Sequence, residues 1–343
     1  MKFHHRFLFF IIGILISSSL IAQKINVVSS CSIFADMTDN IAGDLINLNS
    51  IVPIGGDPHT YSPTPKNARV VQQADLILIN GLTFEGWIEE LVENSGTTGK
   101  TVLITQGIDA LKSQQYENSA DPHAWMTAKN GLNYIENIKD ALIEADPVNK
   151  QTYIKNHQAY RKQLVKLHEE MVAEISKIPE DKKILITSHD AFSYFGREYG
   201  LKVEPILGVS TEADVQTSDM IRVAKAIKDN QVPAVFVEST INPKILQQIA
   251  SDNDIVVGGE LFADSLGDKE SEGATYISML RHNAETIAKG LSMKAGATAI
   301  TEESRDKEID ERANWKSILT PLLLGFLAAI IFGIYLKVKS KRG

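Results

Sequence analysis

Between Pro147 and Pro179 the chain runs for 31 residues without a glycine or a proline, and that stretch limits what the rest can become. Along it Tyr153, His157, Tyr160, Leu164, Leu167, Met171, Ile175 and Ile178 recur at helical spacing and make one apolar face. Asp146-Pro147 reads as the start, with aspartate as N-cap and proline at the first helical position. A helix over residues 146–178 is roughly 48 Å long at about 1.5 Å per residue, well beyond the usual three turns. A rod of that length predicts a stiff strut joining two lobes. His157 and His168, on or beside the packed stripe, read as structural.

On both sides of the strut, apolar runs alternate with amphipathic ones. Before it, strands are expected over residues 25–29, 50–54, 75–81 and 101–105, with helices over 32–41, 67–74 and 87–93 and another from Thr127 or Lys129. After it, strands fall at 183–187, 203–206, 234–237 and 255–257, with helices at 217–230, 242–250 and 274–290. Alternation of this kind predicts an α/β fold, each lobe a parallel sheet flanked by helices. In such sheets ligands sit beyond the carboxyl ends of the strands.

The two ends carry a different signal. Residues 1–22, with Lys2 and Arg6 before the apolar run Phe7–Ile16 and a small residue at Ala22, have the form of a signal peptide for export across the inner membrane. Residues 317–337 contain a nineteen-residue uncharged stretch, Ile318–Leu336, long enough to span a bilayer as a helix. A basic tail, 338–343, follows, so the positive-inside rule puts the C-terminus in the cytoplasm and the body in the periplasm or otherwise outside. Residues 293–316 read as a charged spacer, leaving lobes at 23–145 and 179–292. Seven of the 35 basic residues lie in the ends, so residues 23–315 hold 28 against 43 acidic ones, a net charge of −15. Such a surface repels nucleic acid and mildly attracts cations. Cys31 is the only cysteine, which excludes an intrachain disulfide and a thiolate cluster. Its surroundings, Val-Val-Ser-Ser-Cys at 27–31, suit a buried apolar role, and it lies too far from the leader to be a lipid-bearing first residue.

One motif occurs twice. Asp57-Pro58-His59-Thr60-Tyr61, preceded by Gly55-Gly56, recurs as Asp121-Pro122-His123-Ala124-Trp125 in a chain with eight histidines. Proline fixes the backbone just ahead of each imidazole, so each ring is mounted in a set direction. His59, His123, His189 and Asp264 all fall just past a strand or in the loop beyond it, two from each half. Three imidazoles and a carboxylate suit Zn²⁺ at four-coordination, and a bidentate carboxylate accommodates Mn²⁺. Asp57, Asp121 and Glu238 are candidates to orient the imidazoles, or else to cap their own loops.

Gly-Asp-Pro-His-Thr-Tyr at 56–61, Ala-Asp-Leu-Ile-Leu-Ile-Asn-Gly-Leu at 74–82 and Asp-Pro-His-Ala-Trp at 121–125 resemble the zinc/manganese substrate-binding proteins of bacterial ABC importers, cluster A-I type. So do Ser-His-Asp-Ala-Phe-Ser-Tyr-Phe at 188–195, Gly-Val-Ser-Thr-Glu-Ala at 208–213, Phe-Val-Glu-Ser at 236–239 and Leu-Phe-Ala-Asp-Ser at 261–265. The resemblance implies two α/β lobes joined by a rigid helix, a metal between them held by His59, His123, His189 and Asp264, and an ABC permease as partner. It also implies no bond chemistry. Three features depart from the pattern. Many relatives hang from a lipid on a cysteine after the leader, where this chain has none and instead carries the C-terminal helix as its tie to the membrane. Zinc-dedicated members often bear a histidine-rich insert, but Lys112–Asn118 has no histidine. Some manganese members place glutamate where this chain has His189. Two other readings stand beside this one, a membrane-anchored zinc hydrolase with Glu238 as base and a metal-binding surface adhesin.

Overall fold

The computed structural model describes residues 23–112, 120–212 and 214–293. The signal peptide at 1–22, nearly all of the spacer, the helix at 317–337 and the tail at 338–343 lie outside the described residues. Among the described residues no helix is long and apolar enough to cross a membrane.

The first half opens with β1 (Asn26–Ser29), α1 (Ser32–Ala42), β2 (Asn47–Ser50), α2 (Pro65–Gln72) and β3 (Leu76–Ile79), then α3 (Ile88–Ser95), β4 (Lys100–Leu103) and α4 (Ala128–Ala145). All pairings are parallel, in the order β2-β1-β3-β4. Side-chain pattern explains the order. β3 is Leu-Ile-Leu-Ile, buried at every position, so it is covered on both faces as a central strand must be. β2 is Asn-Leu-Asn-Ser, with its asparagines exposed, as suits an edge. The expected strand at 50–54 is thus displaced to 47–50. The apolar run Ile51-Val52-Pro53-Ile54 contains a proline that cannot donate to a ladder, and Ile51 and Val52 are buried in the turn beyond β2 instead. The expected helix at 67–74 starts earlier too, because Thr64 caps α2 and Pro65 takes its first position.

The strut is shorter than its sequence promised. Residues Pro147–Asn149 form a 3₁₀ turn, and α5 proper runs over Lys150–Ile175, 26 residues and roughly 39 Å. Asp146 makes no side-chain cap; its Oδ2 accepts from the Tyr153 hydroxyl at 2.7 Å and from Asn149 Nδ2 at 2.6 Å. That pull on the carboxylate explains why the helix does not open at Pro147. The apolar face is buried as spaced, and His157 within it sits 3.0 Å from Glu136 Oε2.

The second half holds β5 (Ile184–Thr187), α6 (Ser193–Tyr199), β6 (Lys202–Pro205), α7 (Thr217–Asn230), β7 (Ala234–Glu238), α8 (Lys244–Asp252), β8 (Val256–Leu261) and α9 (Tyr276–Leu291). Its strands form two parallel ladders, β5-β6 and β7-β8, with β5 lying beside β7. Gly290 lets α9 close onto this layer: a Cβ there would meet the Phe236 ring at 2.6 Å.

The halves do not have separate interiors. One hydrophobic cluster runs from Phe34 and Trp125 through Tyr160 and Leu164 of α5 to Phe236 and Ile287. Polar ties cross it as well. Asp36 Oδ2 accepts from the first amide of α9, Tyr276 N, at 3.0 Å. The Tyr276 hydroxyl donates to the carbonyls of Trp125 at 2.5 Å and Thr127 at 3.2 Å, against Gly131, where a Cβ would come within 2.8 Å of it. Tyr276→Phe removes this buried donor and is expected to cost about 1–2 kcal/mol, a Tm drop of roughly 2–8 °C in thermal unfolding.

Candidate metal centre

Each repeat of the Asp-Pro-His motif folds as the same small turn. Asp57 Oδ1 accepts the amide of His59 at 2.8 Å, and Asp121 Oδ1 accepts that of His123 at 2.9 Å. The intervening proline has no N–H to compete, so the carboxylate and the fixed φ together aim the histidine. His59 stands in the long loop between β2 and α2, nine residues beyond the strand, its ring edge-on to Phe84 at 4.9 Å. Trp87 Nε1 ties that loop down by donating to the Pro58 carbonyl at 2.8 Å.

His123 enters a 3₁₀ turn, Ala124–Met126, in the connection from β4 to α4. The carbonyl before it, that of Pro122, accepts from Asn80 Nδ2 at 3.0 Å, and the Tyr134 hydroxyl holds Asn80 Oδ1 at 2.6 Å. Glu85 is buried and accepts the amides of Asn80 and Gly81 at 2.8 and 3.0 Å, fixing the end of β3. From the second half, His189 follows β5 and donates its amide to Glu238 Oε1, at the end of β7, at 2.9 Å. Asp264 lies three residues past β8, and Trp125 Nε1 binds the carbonyl just before it, that of Ala263, at 2.8 Å. Four loops, two from each half, thus deliver one side chain apiece to the same point.

The distances define a small polyhedron. His59 Nε2 is 3.1 Å from His123 Nε2, which is 3.3 Å from His189 Nε2. Asp264 Oδ1 is 3.5 Å from His123 Nε2, and Oδ2 is 3.2 Å from His189 Nε2. One donor atom from each of the four residues lies within 4.8 Å of all the others. An ion about 2.1 Å from each donor of a tetrahedron sets edges of roughly 3.4 Å, which those four separations bracket. Both oxygens of Asp264 are buried, and the contacts they make are with the imidazoles of His123 and His189. A buried carboxylate facing three ring nitrogens has the donor chemistry of a cation site.

The outer nitrogens explain why the rings point inward. His123 Nδ1 lies 2.8 Å from Asp121 Oδ1, and His189 Nδ1 lies 2.6 Å from Glu238 Oε2. A proton held on Nδ1 leaves the Nε2 lone pair directed at the centre. Of the three carboxylates considered as orienting groups, Asp121 and Glu238 therefore reach ring nitrogens. Asp57 does not; besides the His59 amide it accepts from the Thr211 hydroxyl of the second half, at 2.5 Å. His123, His189 and Asp264 are inaccessible to solvent, whereas His59 is partly exposed.

Charge within the cluster is strongly perturbed. Burial pushes His59 down to about 3, the charge of Asp264 opposing it and those of His123 and His189 adding to it. Burial also disfavours protonated His123, but the hydrogen bonds and charges of Asp121 and Asp264 outweigh it and push the imidazole up to about 9. In His189 the same contest, burial against Glu238 and Asp264, ends well above the usual histidine value. Without a metal, the neighbouring carboxylates thus favour the protonated form of His123 and His189, while burial disfavours it in His59.

Sequence reasoning did not anticipate the Phe84 wall, the Asn80–Glu85 brace or the Trp125–Ala263 tie. Only Asn80-Gly81, a polar pair closing an apolar strand, signalled the second of these.

A family profile described as zinc-uptake complex component A, periplasmic (ZnuA), matches residues 27–290. The metal ABC transporter substrate-binding lipoprotein ScbA of Streptococcus cristatus is 38% identical over 279 residues, covering 79% of this chain and 90% of its own. The manganese ABC transporter substrate-binding lipoprotein PsaA of Streptococcus anginosus is 38% identical over 278 residues, with the same coverage. Among solved structures, the periplasmic zinc-binding protein TroA from Treponema pallidum superposes with a TM-score of 0.75 at 31% identity, over 79% of this chain and all of that one. The Mn-bound periplasmic metal-binding protein from Candidatus Liberibacter asiaticus gives 0.73 at 30%, over 78% of this chain and all of that one. A match this long, to relatives this similar along nearly all of their own length, means that the chain belongs to the ZnuA family, the substrate-binding proteins of metal ABC transporters.

Proposed function

We propose that His59, His123, His189 and Asp264 bind one Zn²⁺ or Mn²⁺ as cargo, and that the protein hands this ion to an ABC permease. The observation that carries the reading is the convergence of buried Asp264 with three ring nitrogens, one donor atom from each residue lying within 4.8 Å of the others. The lobes act as residues 23–145 and 179–292 about the connecting segment 146–178, whose rigid part is α5 (Lys150–Ile175). Because they share one core and α5 is continuous, release comes from small shifts of the ligand loops rather than a wide opening. Neutral nitrogens favour Zn²⁺ over Mn²⁺ at equal availability, and the second oxygen of Asp264 supplies the added coordination that Mn²⁺ takes. The direct test is titration of the full chain with each metal in competition with a chromophoric chelator. Failure to bind either ion overturns the reading.

Binding exchanges protons for metal. With His123 and His189 both pushed up, two protons leave as the dication arrives, so the total charge of the site stays the same. Affinity is therefore expected to fall as pH falls below about 9, by as much as 100-fold per pH unit where both protons are released. That window lies above the ordinary histidine range. The metal-free protein should behave oppositely, because raised histidines add stability below their unfolded value of about 6.5 that is lost as pH climbs toward about 9. Isothermal titration in buffers of different ionisation enthalpy counts the protons directly. Glu238→Gln keeps the shape but loses the carboxylate behind His189, and is expected to weaken metal binding about 10–100-fold.

We also infer that residues 317–337 anchor the protein. Cys31 is the only thiol, 1% exposed at the start of α1. A lipid on it as first residue requires removal of everything before it, including β1, which pairs on both sides within the first sheet. Deleting residues 317–343 is expected to move the protein from carbonate-washed membranes to the soluble fraction.

A further inference from the structure

The loop beyond β8 is pinned at several points besides Asp264. Asn283 of α9 holds Phe262, its Oδ1 accepting the amide at 3.0 Å and its Nδ2 donating to the carbonyl at 2.7 Å. Trp125 holds the Ala263 carbonyl. Just past Asp264, Ser265 Oγ accepts the amide of Gly55 at 2.7 Å and donates to the Leu266 carbonyl at 2.9 Å. It also lies 3.3 Å from Ser32 Oγ, which takes the Leu266 amide at 3.1 Å. With the Ser32 hydroxyl donating, Ser265 has one proton and two lone pairs engaged, all that a hydroxyl offers. Ser265 is 1% exposed, so water does not compete for these bonds. Gly55 lies four residues before His59, so among the described residues this is the bond that joins the Asp264 loop to the His59 loop.

The three imidazoles are not held alike. His123 and His189 are braced from behind, where Asp121 and Glu238 reach the outer nitrogens. At His59 the corresponding carboxylate, Asp57, takes the amide and the Thr211 hydroxyl, and the ring stands edge-on to Phe84. The place of that ring therefore depends on where its loop lies. We propose that Ser265 is a positioning residue that, through the Gly55 amide, fixes the His59 loop to the Asp264 loop. The one donor that meets solvent and the one anionic donor then close on the ion together. This rests on the cargo site proposed above and names the link between its first-half and second-half ligands. A ligand loop held in place beforehand is not ordered at the cost of binding energy. Without the link His59 detaches first, and release quickens while encounter with the ion is little changed.

The test uses the full chain and Zn²⁺ alone, with Kd from competition against chromophoric chelators and release followed into excess EDTA. Ser265→Ala is expected to bind about tenfold more weakly and to release about tenfold faster, with association within about twofold of wild type. His59→Ala binds through the other three donors, and adding Ser265→Ala to it is expected to change Kd by less than about twofold. A role in folding alone, or in holding Asp264 alone, gives the same loss in both backgrounds. That result, or wild-type affinity in Ser265→Ala, overturns the link. Gly55→Ala reaches the same bond from its other end and serves if Ser265→Ala does not fold. Gly55 is exposed and a Cβ there meets nothing within 4 Å, but its φ of +77° strains any L side chain and so shifts the amide. It is expected to lose affinity in the wild-type background and not in His59→Ala, and the opposite pattern overturns the link as well. A wild-type chain that binds no Zn²⁺ instead removes the cargo site itself, and the link with it.

Discussion

Asp264→Ala is expected to weaken Zn²⁺ and Mn²⁺ binding at least about a thousandfold, more than any change outside the four donors, since orienting groups are worth about 10–100-fold. Asp264 is the only anionic member of the cluster, and it meets both His123 and His189. Removing it would cost the metal a bond and leave three neutral donors around a dication in a site where only His59 meets solvent. Asp264→Asn separates these effects, because it keeps an oxygen but not the charge. If charge dominates, both variants lose affinity alike.

The same substitution has a second consequence, in the protein without metal. There Asp264 is the counter-charge of His123 and His189, which hold it well below the usual carboxylate range despite burial. Stripping one partner from a buried ion pair costs about 3–5 kcal/mol when the other charge must remain. Here the imidazoles escape by shedding protons, so the loss should be largest near pH 6 and shrink above pH 8. Thermal unfolding of metal-free wild type and Asp264→Ala across that range checks it. A Tm difference that does not vary with pH would show that the imidazoles carry no charge in the metal-free site, and the proton-exchange account fails.

What the sequence disclosed about this site, and what it hid, follows from how each part is encoded. The doubled Asp-Pro-His motif is local: carboxylate, proline and histidine are consecutive, and the turn they form needs nothing from elsewhere. Strand–helix alternation is local too, so β3, apolar throughout, and β7, apolar up to its closing Glu238, stand where expected. At two of the boundaries that moved, a particular side chain overrode the local preference. Asp146 turns to Tyr153 instead of capping, and Pro53 spoils an apolar run as a strand. The split of the second sheet into two ladders was not legible at all, since it depends on pairing between segments far apart. Nor were the ties between ligand loops, because a tryptophan within an apolar stretch gives no hint of which carbonyl its nitrogen will find 138 residues later.

That tryptophan sets the last expectation. Trp125 is wholly buried, with its ring 4.5 Å from Phe84, 5.2 Å from His123 and 5.5 Å from Phe34. Trp125→Ala is expected to destabilise the protein by about 3–5 kcal/mol, a Tm loss of roughly 6–20 °C, and to leave the Ala263 carbonyl without its donor. Trp125→Phe retains most of the packing but not the hydrogen bond; its cost is expected to be about 1–3 kcal/mol, with metal affinity reduced about tenfold as the Asp264 loop loosens. The manner of unfolding matters as much as its midpoint. Because Trp125 belongs to the cluster shared by both halves, the weakened variants should still melt in one transition. Two separate transitions would mean that the halves fold independently. The small-shift release argued from their common interior would then give way to motion of whole lobes.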